Sequence, residues 1–390
     1  MEFALSEEQR LLVDTVRRFI KAELAPLENE IEATGRLDPA KARAIFEKSK
    51  ALGFYAMNMP EEFGGGGLSA IDTCLVEEQF GHTTDILARR AFGYVYEVLL
   101  QCQGEQKERW LIPAVKGERT ISIAITEPGA GSDAAGISTR AVGDGDGWLL
   151  TGQKCFISDG EFADAFVVSA VTDPAAKSHG ISLFLVDKGM PGFSMGRNQP
   201  MMGLVGTSHS ELFFDGVRLG REHLLGGENN GMRLILETLG RIRLALIGAR
   251  SVGKAVHLLE LMVDYANERK QFGRPIGDFQ LIQQMLADSA IEINAARLML
   301  LRAAWEIDQG RDARHWISMV KVHAAEMVGR VADRAVQVFG GMGYCKDLPI
   351  ERLYRDARIY RIFDGTSEIH RTVIARGVRR DNSALFDGMG

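Results

Sequence analysis

From Leu236 to Val263 apolar residues recur at three- and four-residue steps, through Leu239, Ile242, Leu246, Ala249, Val252, Val256 and Leu259. The run lasts about eight helical turns, too long for an ordinary surface helix. Such a helix needs other helices to cover its apolar stripe. Two similar stretches follow, Gln280 to Ile307 and Trp316 to Phe339, with breaks at Gly273-Arg274-Pro275 and Gln309-Gly310. Long antiparallel helices in a bundle fit best, and residues 229–390 are expected to form it.

The texture changes upstream. Between Ser6 and about Val115 helical spacing returns, as in Leu12, Val16, Phe19, Ile20 and Leu24, interrupted by a glycine-rich loop from Glu61 to Gly67. This predicts a helical domain over residues 1–119. From Thr120 to about Leu225 the pattern shortens to strand-like runs: Ser122 to Thr126, Trp148 to Thr151, Ala165 to Val171, Ile181 to Val186 and Glu211 to Phe214. Turn clusters such as Gly143-Asp144-Gly145-Asp146-Gly147 separate them, so residues 120–228 are expected to form a β domain. No parallel βαβ alternation is visible, which argues against a doubly wound dinucleotide fold. The fold class is mainly α with a β domain in the middle.

A net charge of −6 with 25% charged residues gives no reason to expect nucleic acid as a partner. Cys74, Cys102, Cys155 and Cys345 lack metal-ligand spacing, so neither disulfides nor a metal are expected. Met1 to Arg10 lack the basic start and apolar run of a signal peptide. No run reaches the roughly 20 apolar residues of a membrane span, and a cytoplasmic location is the expectation.

Several loops carry chemistry. Ile125-Thr126-Glu127-Pro128-Gly129-Ala130-Gly131-Ser132-Asp133 follows a strand run and offers hydroxyls, small residues and free N–H groups, although alone it is an ordinary turn. Asn267-Glu268-Arg269-Lys270-Gln271-Phe272-Gly273 reads either as a helix end capped by Gly273 or as an Arg able to grip a pyrophosphate. Val336 to Tyr344 reads either as a helix stop or as a glycine platform for a flat ligand. Phe363-Asp364-Gly365-Thr366-Ser367-Glu368 is a helix start in which Asp, Thr or Ser can cap, or else a turn presenting a carboxylate.

Together with Gly152 to Ser158, these segments occur in an order and spacing that resembles the acyl-CoA dehydrogenase family, from Phe3 to about Arg380. The resemblance implies a fold of N-terminal helical domain, middle β-barrel-like domain and C-terminal four-helix bundle, usually assembled as a homotetramer that binds FAD. It places Ile123, Ile125, Thr126, Gly131 and Ser132 around the flavin ring, with Ser132 also meeting the CoA thioester arm. Phe156 and Ser158 fall at the ring's other edge. Arg269, Gln271, Phe272, Gln337, Gly340 and Gly341 match residues that reach FAD from a neighbouring subunit, and Thr366 and Glu368 complete the site. The implied reaction is α,β-dehydrogenation of an acyl-CoA, with Asp364 taking the α proton, Gly365 beside it, and hydride passing to flavin N5. An electron-transferring flavoprotein or similar carrier is the implied electron acceptor.

The resemblance has departures. The family usually carries Glu preceded by Tyr where this chain has Phe363-Asp364, so the carboxylate sits about 1.5 Å further from a substrate placed for Glu. Three readings stay open: a working base for a bulkier acyl group, a nitroalkane-oxidase type of enzyme, or a catalytically weak acyl-CoA-binding relative. The other family position for a base matches Gly240, which closes that option unless Glu237 reaches in. Arg241 retains a frequent CoA-site Arg. Arg89 and Arg90 fall on a helix that in relatives lines the deep end of the acyl pocket; either Arg selects a polar acyl end or both belong to a solvated face. Tyr94 and Tyr96 wall that pocket or are plain core.

Overall fold

The computed structural model describes residues 4–380. Residues 1–3 and 381–390, the outer ends of the first and last expected domains, lie outside the described residues. The first domain contains α1 (Glu7–Phe19), α2 (Glu28–Thr34), α3 (Pro39–Ala51), α4 (Ala70–Phe80), α5 (Asp85–Phe92) and the short α6 (Ile112–Val115). Ser6 starts α1 by accepting from Gln9 N at 3.1 Å, while the Gln9 side chain accepts from Ser6 N, a reciprocal cap. Val16, Phe19, Ile20 and Leu24 turn inward, as their spacing requires, and meet Phe54, Phe80 and Phe92.

The helix α4 is buried on nearly every side, including Glu77, Glu78 and Gln79, because it is sandwiched against the bundle. Close approach depends on glycine: a Cβ on Gly253 would lie 1.7 Å from Glu78 O. Burying those acids calls for partners. Arg250 Nε donates to Glu77 at 2.6 Å, and Arg297 pairs with Glu78.

The middle domain is one sheet of eight strands: β1 (Ile121–Ala124), β2 (Arg140–Asp144), β3 (Gly147–Ser158), β4 (Ala165–Val171), β5 (Ile181–Asp187), β6 (Phe193–Asn198), β7 (His209–Leu219) and β8 (Leu224–Leu225). Their order is β6-β7-β3-β2-β4-β5-β8, with β1 parallel to β4. β2 and β6 go beyond the expected runs. Both have mostly exposed side chains, so neither shows an apolar alternation.

The bundle follows the predicted long helices closely. It comprises α7 (Gly231–Ile242), α8 (Arg250–Glu268), α9 (Gln280–Asp308) and α10 (Arg314–Phe339), followed by α11 (Gly341–Tyr344), α12 (Ile350–Ala357) and α13 (Ser367–Arg380). Between α7 and α8 the chain stays helical but widens into a π segment, Arg243–Ala249, with Arg250 N–H reaching back to Ala245 O. After α8 the chain makes a small hairpin, pairing Lys270-Gln271 with Arg274-Pro275. Phe272 (φ 51°) and Gly273 (φ 80°) form its two-residue turn. Gly273 is therefore a hairpin residue and not the helix cap.

Candidate active site

Asp364 lies on a left-handed turn, with φ of 52° there and 93° at Gly365. Asp tolerates this region better than most residues, because its short polar side chain bonds locally. The cap of α13 is Thr366, whose Oγ1 accepts from Ile369 N at 3.2 Å. That leaves the carboxylate of Asp364 free of capping duty. Its backbone carbonyl accepts from Arg243 Nε at 2.7 Å and from His370 Nε2 at 3.3 Å, which pins the turn. His370 Nδ1 faces Ser318 Oγ at 3.1 Å. Burial lowers the His370 pKa to about 4, so the ring is neutral near pH 7, with its proton on the Nε2 that faces the carbonyl.

Burial raises the pKa of Asp364, and the charges of Arg243, Lys321 and Arg89 pull it down, in that order. Neither Arg243 nor Lys321 was singled out from the sequence. Lys321 lies one turn beyond Ser318 on α10 and so shares its face toward the Asp364 turn. It is fully buried, its Nζ has no hydrogen-bond partner among the described residues, and burial lowers its pKa to about 8. A buried ammonium without a partner is costly; the carboxylate beside it is its compensation. Lys321→Met should therefore remove a cation from the Asp364 environment and move the acid limb of the activity profile about 1–3 pH units upward. Lys321→Arg should restore it. A profile that stays in place in the Met variant would sink this role.

Arg241 is exposed, whereas Arg243 faces Asp364. Gly240 has room beside it, since a Cβ there would stand 3.7 Å from Ile317 Cδ1, but it bears no base. Glu237 is exposed and bound to Arg233 at 2.7 Å. Neither displaces Asp364.

The β domain holds its glycine-rich loop in place through a buried ion pair. Lys154 Nζ donates to Glu127 Oε1 at 2.8 Å and to Ile125 O at 3.0 Å, while Cys155 N donates to Thr126 O at 2.9 Å. The strand Gly147–Ser158 is thereby tied to Ile125, Thr126 and Glu127. A break in the β3–β7 register between Lys154 and Ile157 takes Phe156 out of the ladder at φ 57°, leaving its ring 53% exposed. Gly131 and Ser132 are exposed, Ile123, Ile125, Thr126 and Ser158 half-buried. An open aromatic face, hydroxyls and an uncrowded glycine loop suit a flat heteroaromatic ring.

Asp159, next to Ser158, pairs with Arg89 and Arg90 of α5, and the Arg89 charge is among those that pull the Asp364 pKa down. Arg89 and Arg90 are thus ion-paired toward the interior and do not form a solvated face. Tyr94 donates its hydroxyl to Glu97 at 2.7 Å and lines a cavity together with Arg89, Arg90 and Asp159.

Arg269, Gln271, Phe272, Gln337, Gly340 and Gly341 are all exposed. Tyr265 stacks on Phe339 with ring centroids 4.2 Å apart, which places the two groups at one end of the bundle. Gln337 lies on the same helix as Lys321, about 24 Å further along. This second set does not converge on Asp364 within one chain. Glu368 is exposed, although backbone N–H and Thr366 hydrogen bonds hold its carboxyl below the usual range.

Away from this site, His82, His257 and Glu260 bring three donor atoms within 4.8 Å of one another. Burial and the charges of His257, Arg17, Lys254 and Arg297 lower the pKa of His82 to about 3. The same cations oppose a metal ion. Among the described residues, no helix is long and apolar enough to cross a membrane.

All three domains of the chain have known counterparts. Residues 6–118, 122–217 and 229–379 match the acyl-CoA dehydrogenase N-terminal, middle and C-terminal domains. An acryloyl-CoA reductase (NADH) of Anaerotignum propionicum is 38% identical, over 97% of this chain and 96% of the relative. The caffeyl-CoA reductase-Etf complex subunit CarC of Acetobacterium woodii is 36% identical, over 95% of this chain and 98% of the relative. A solved FAD complex of PigA superposes with a TM-score of 0.91 at 29% identity, over 97% of this chain and 99% of that one. The chain belongs to the acyl-CoA dehydrogenase family and is an oxidoreductase of CH–CH bonds with FAD as its cofactor.

Proposed function

We propose that this protein removes the α and β hydrogens of an acyl-CoA thioester, with Asp364 as the base. The observation that carries the reading is a half-buried carboxylate on a pinned left-handed turn, freed from capping and faced by Arg243 and Lys321. Bound FAD supplies the two-electron acceptor for the β hydrogen as hydride. Asp364 takes the α proton, and expulsion of water by an acyl chain raises its proton affinity toward that of the weakly acidic carbon. Arg243 and Lys321 oppose the rise in proton affinity that burial imposes on Asp364. Thr126, Ser158 and Phe156 hold and face the flavin, and Ser132 with Gly365 orients the thioester. The same residues serve the reverse reaction, with protonated Asp364 delivering to the α carbon.

Both curated relatives described above act, by name, on CoA thioesters, which supports this reading over the nitroalkane-oxidase and binding-protein alternatives. The Etf complex of the second supports an electron-transferring flavoprotein as partner. We further propose a homotetramer in which Arg269, Gln271, Phe272, Gln337, Gly340 and Gly341 serve the FAD of a neighbouring copy. Its support is their distance from Asp364 and the exposed Phe272, Ile291 and Leu298, the last two on one face of α9. A cytoplasmic location is supported by four unpaired cysteines.

The test is anaerobic bleaching of the flavin by straight, branched, cyclic and dicarboxylic acyl-CoAs. Fast bleaching by one class is the expected result; bound FAD that none of them bleaches counts against the proposal. Asp364→Glu extends the carboxylate by about 1.5 Å. It should shift the preferred chain length or branching, and an unchanged ranking across the panel would show that reach does not set selectivity.

A further inference from the structure

The dehydrogenase reading leaves the far end of the acyl group unassigned, and the inference here rests on that reading. A cavity of about 60 Å³ is lined by Tyr55, Arg89, Arg90, Tyr94, Tyr96 and Asp159, among others. Two guanidiniums at a cavity wall suggest a site for a second carboxylate. Their hydrogen bonds say otherwise. Arg89 Nη1 donates to Asp159 Oδ2 at 3.1 Å and its Nε pairs with Asp85; Arg90 takes the other oxygen of Asp159. Arg250 closes the network, donating to Asp85 at 2.8 Å and to Glu77 at 2.6 Å. Three cations thus meet three carboxylates, and the side chains of Arg89, Arg90 and Asp159 are only 13–17% exposed. The remaining arginine of the lining, Arg119, is bound to Asp187 at 2.6 Å.

We infer that Asp159 is a specificity-determining residue: it occupies, as part of the protein, the place that a substrate carboxylate would take between Arg89 and Arg90. The pocket consequently accepts a small uncharged acyl end, with the tyrosine rings offering apolar walls and hydroxyls. A dicarboxylic acyl group would bring an anion to a cluster whose positive charge is already matched.

Asp159→Asn tests this with little disturbance. Asp159 has φ of 58°, a region Asn also favours, and its backbone N–H bond to Ser208 O at 2.9 Å does not involve the side chain. The holoenzyme is titrated with butyryl-CoA and with glutaryl-CoA, reading the perturbation of the flavin spectrum and then anaerobic bleaching. The wild type should favour butyryl-CoA by about tenfold or more, and the variant should raise the glutaryl-to-butyryl ratio by at least about tenfold. A wild type that prefers glutaryl-CoA overturns the inference even if the variant does not fold, and so does a folded variant with an unchanged ratio. A wild-type flavin silent to both thioesters overturns this inference, and it overturns the dehydrogenase reading as well only if the branched and cyclic acyl-CoAs also fail to bleach it.

Discussion

Asp364→Asn is expected to slow anaerobic flavin bleaching by acyl-CoA about 10²–10⁴-fold, the range typical of a general base. The amide keeps the shape and suits the left-handed turn, whose φ is 52°. The turn itself is held by the carbonyl of Asp364 through Arg243 and His370, which the substitution leaves intact. FAD content and unfolding temperature should therefore match the wild type. A variant that bleaches at the wild-type rate would place the base on another residue.

The second large effect concerns the floor of the glycine-rich loop proposed to hold the flavin. Lys154 and Glu127 are 1% and 4% exposed, and Glu127 also accepts from Ser138 N at 2.7 Å and Thr139 N at 3.1 Å. Lys154→Met leaves that carboxylate buried without its cation, a change that costs about 3–5 kcal/mol. The expected result is a lower midpoint in urea or thermal unfolding, together with loss of FAD. Burial by itself raises the Glu127 pKa, but Lys154 and the hydrogen bonds bring it down to about 2. The folded-state pKa is thus depressed. Its stabilising contribution is present above the ordinary carboxylate value of about 4.3 and is lost as pH falls toward 2. In the Met variant this acid loss should begin at a higher pH. Equal midpoints and equal acid profiles would show that the pair is not what holds the loop.

Where apolar period and local turn chemistry decide, the sequence was legible. The helices Gln280–Asp308 and Arg314–Phe339 start and end within two residues of the reading, and Ala165–Val171 matches it. Two strands outside the expected runs, Arg140–Asp144 and Phe193–Asn198, have little buried surface and so leave no alternating signal, and a third, Leu224–Leu225, is only two residues long. Asp364 was visible because its turn is local. Its cations were not: Arg243 is 121 residues away, and Lys321 reads in the sequence as one more charged residue on a long helix. Asp159 was missed for a similar reason, since its meaning comes from Arg89 and Arg90, about 70 residues earlier and in another domain.

The widened helical stretch Arg243–Ala249 turns residue count into angle. Each residue added to or removed from a regular helix rotates everything on one side of it by about 100° relative to the other. Deleting a single residue between Arg243 and Arg250 would let the i→i+5 bonds relax to ordinary ones, and it would swing either Arg243 off the Asp364 carbonyl or Arg250 off Glu77 and Asp85. An indel is usually harmless in a loop and merely disruptive in a helix. Here it would act as a rotary switch, uncoupling the Asp364 turn from the charge network of Arg250, Glu77 and Asp85.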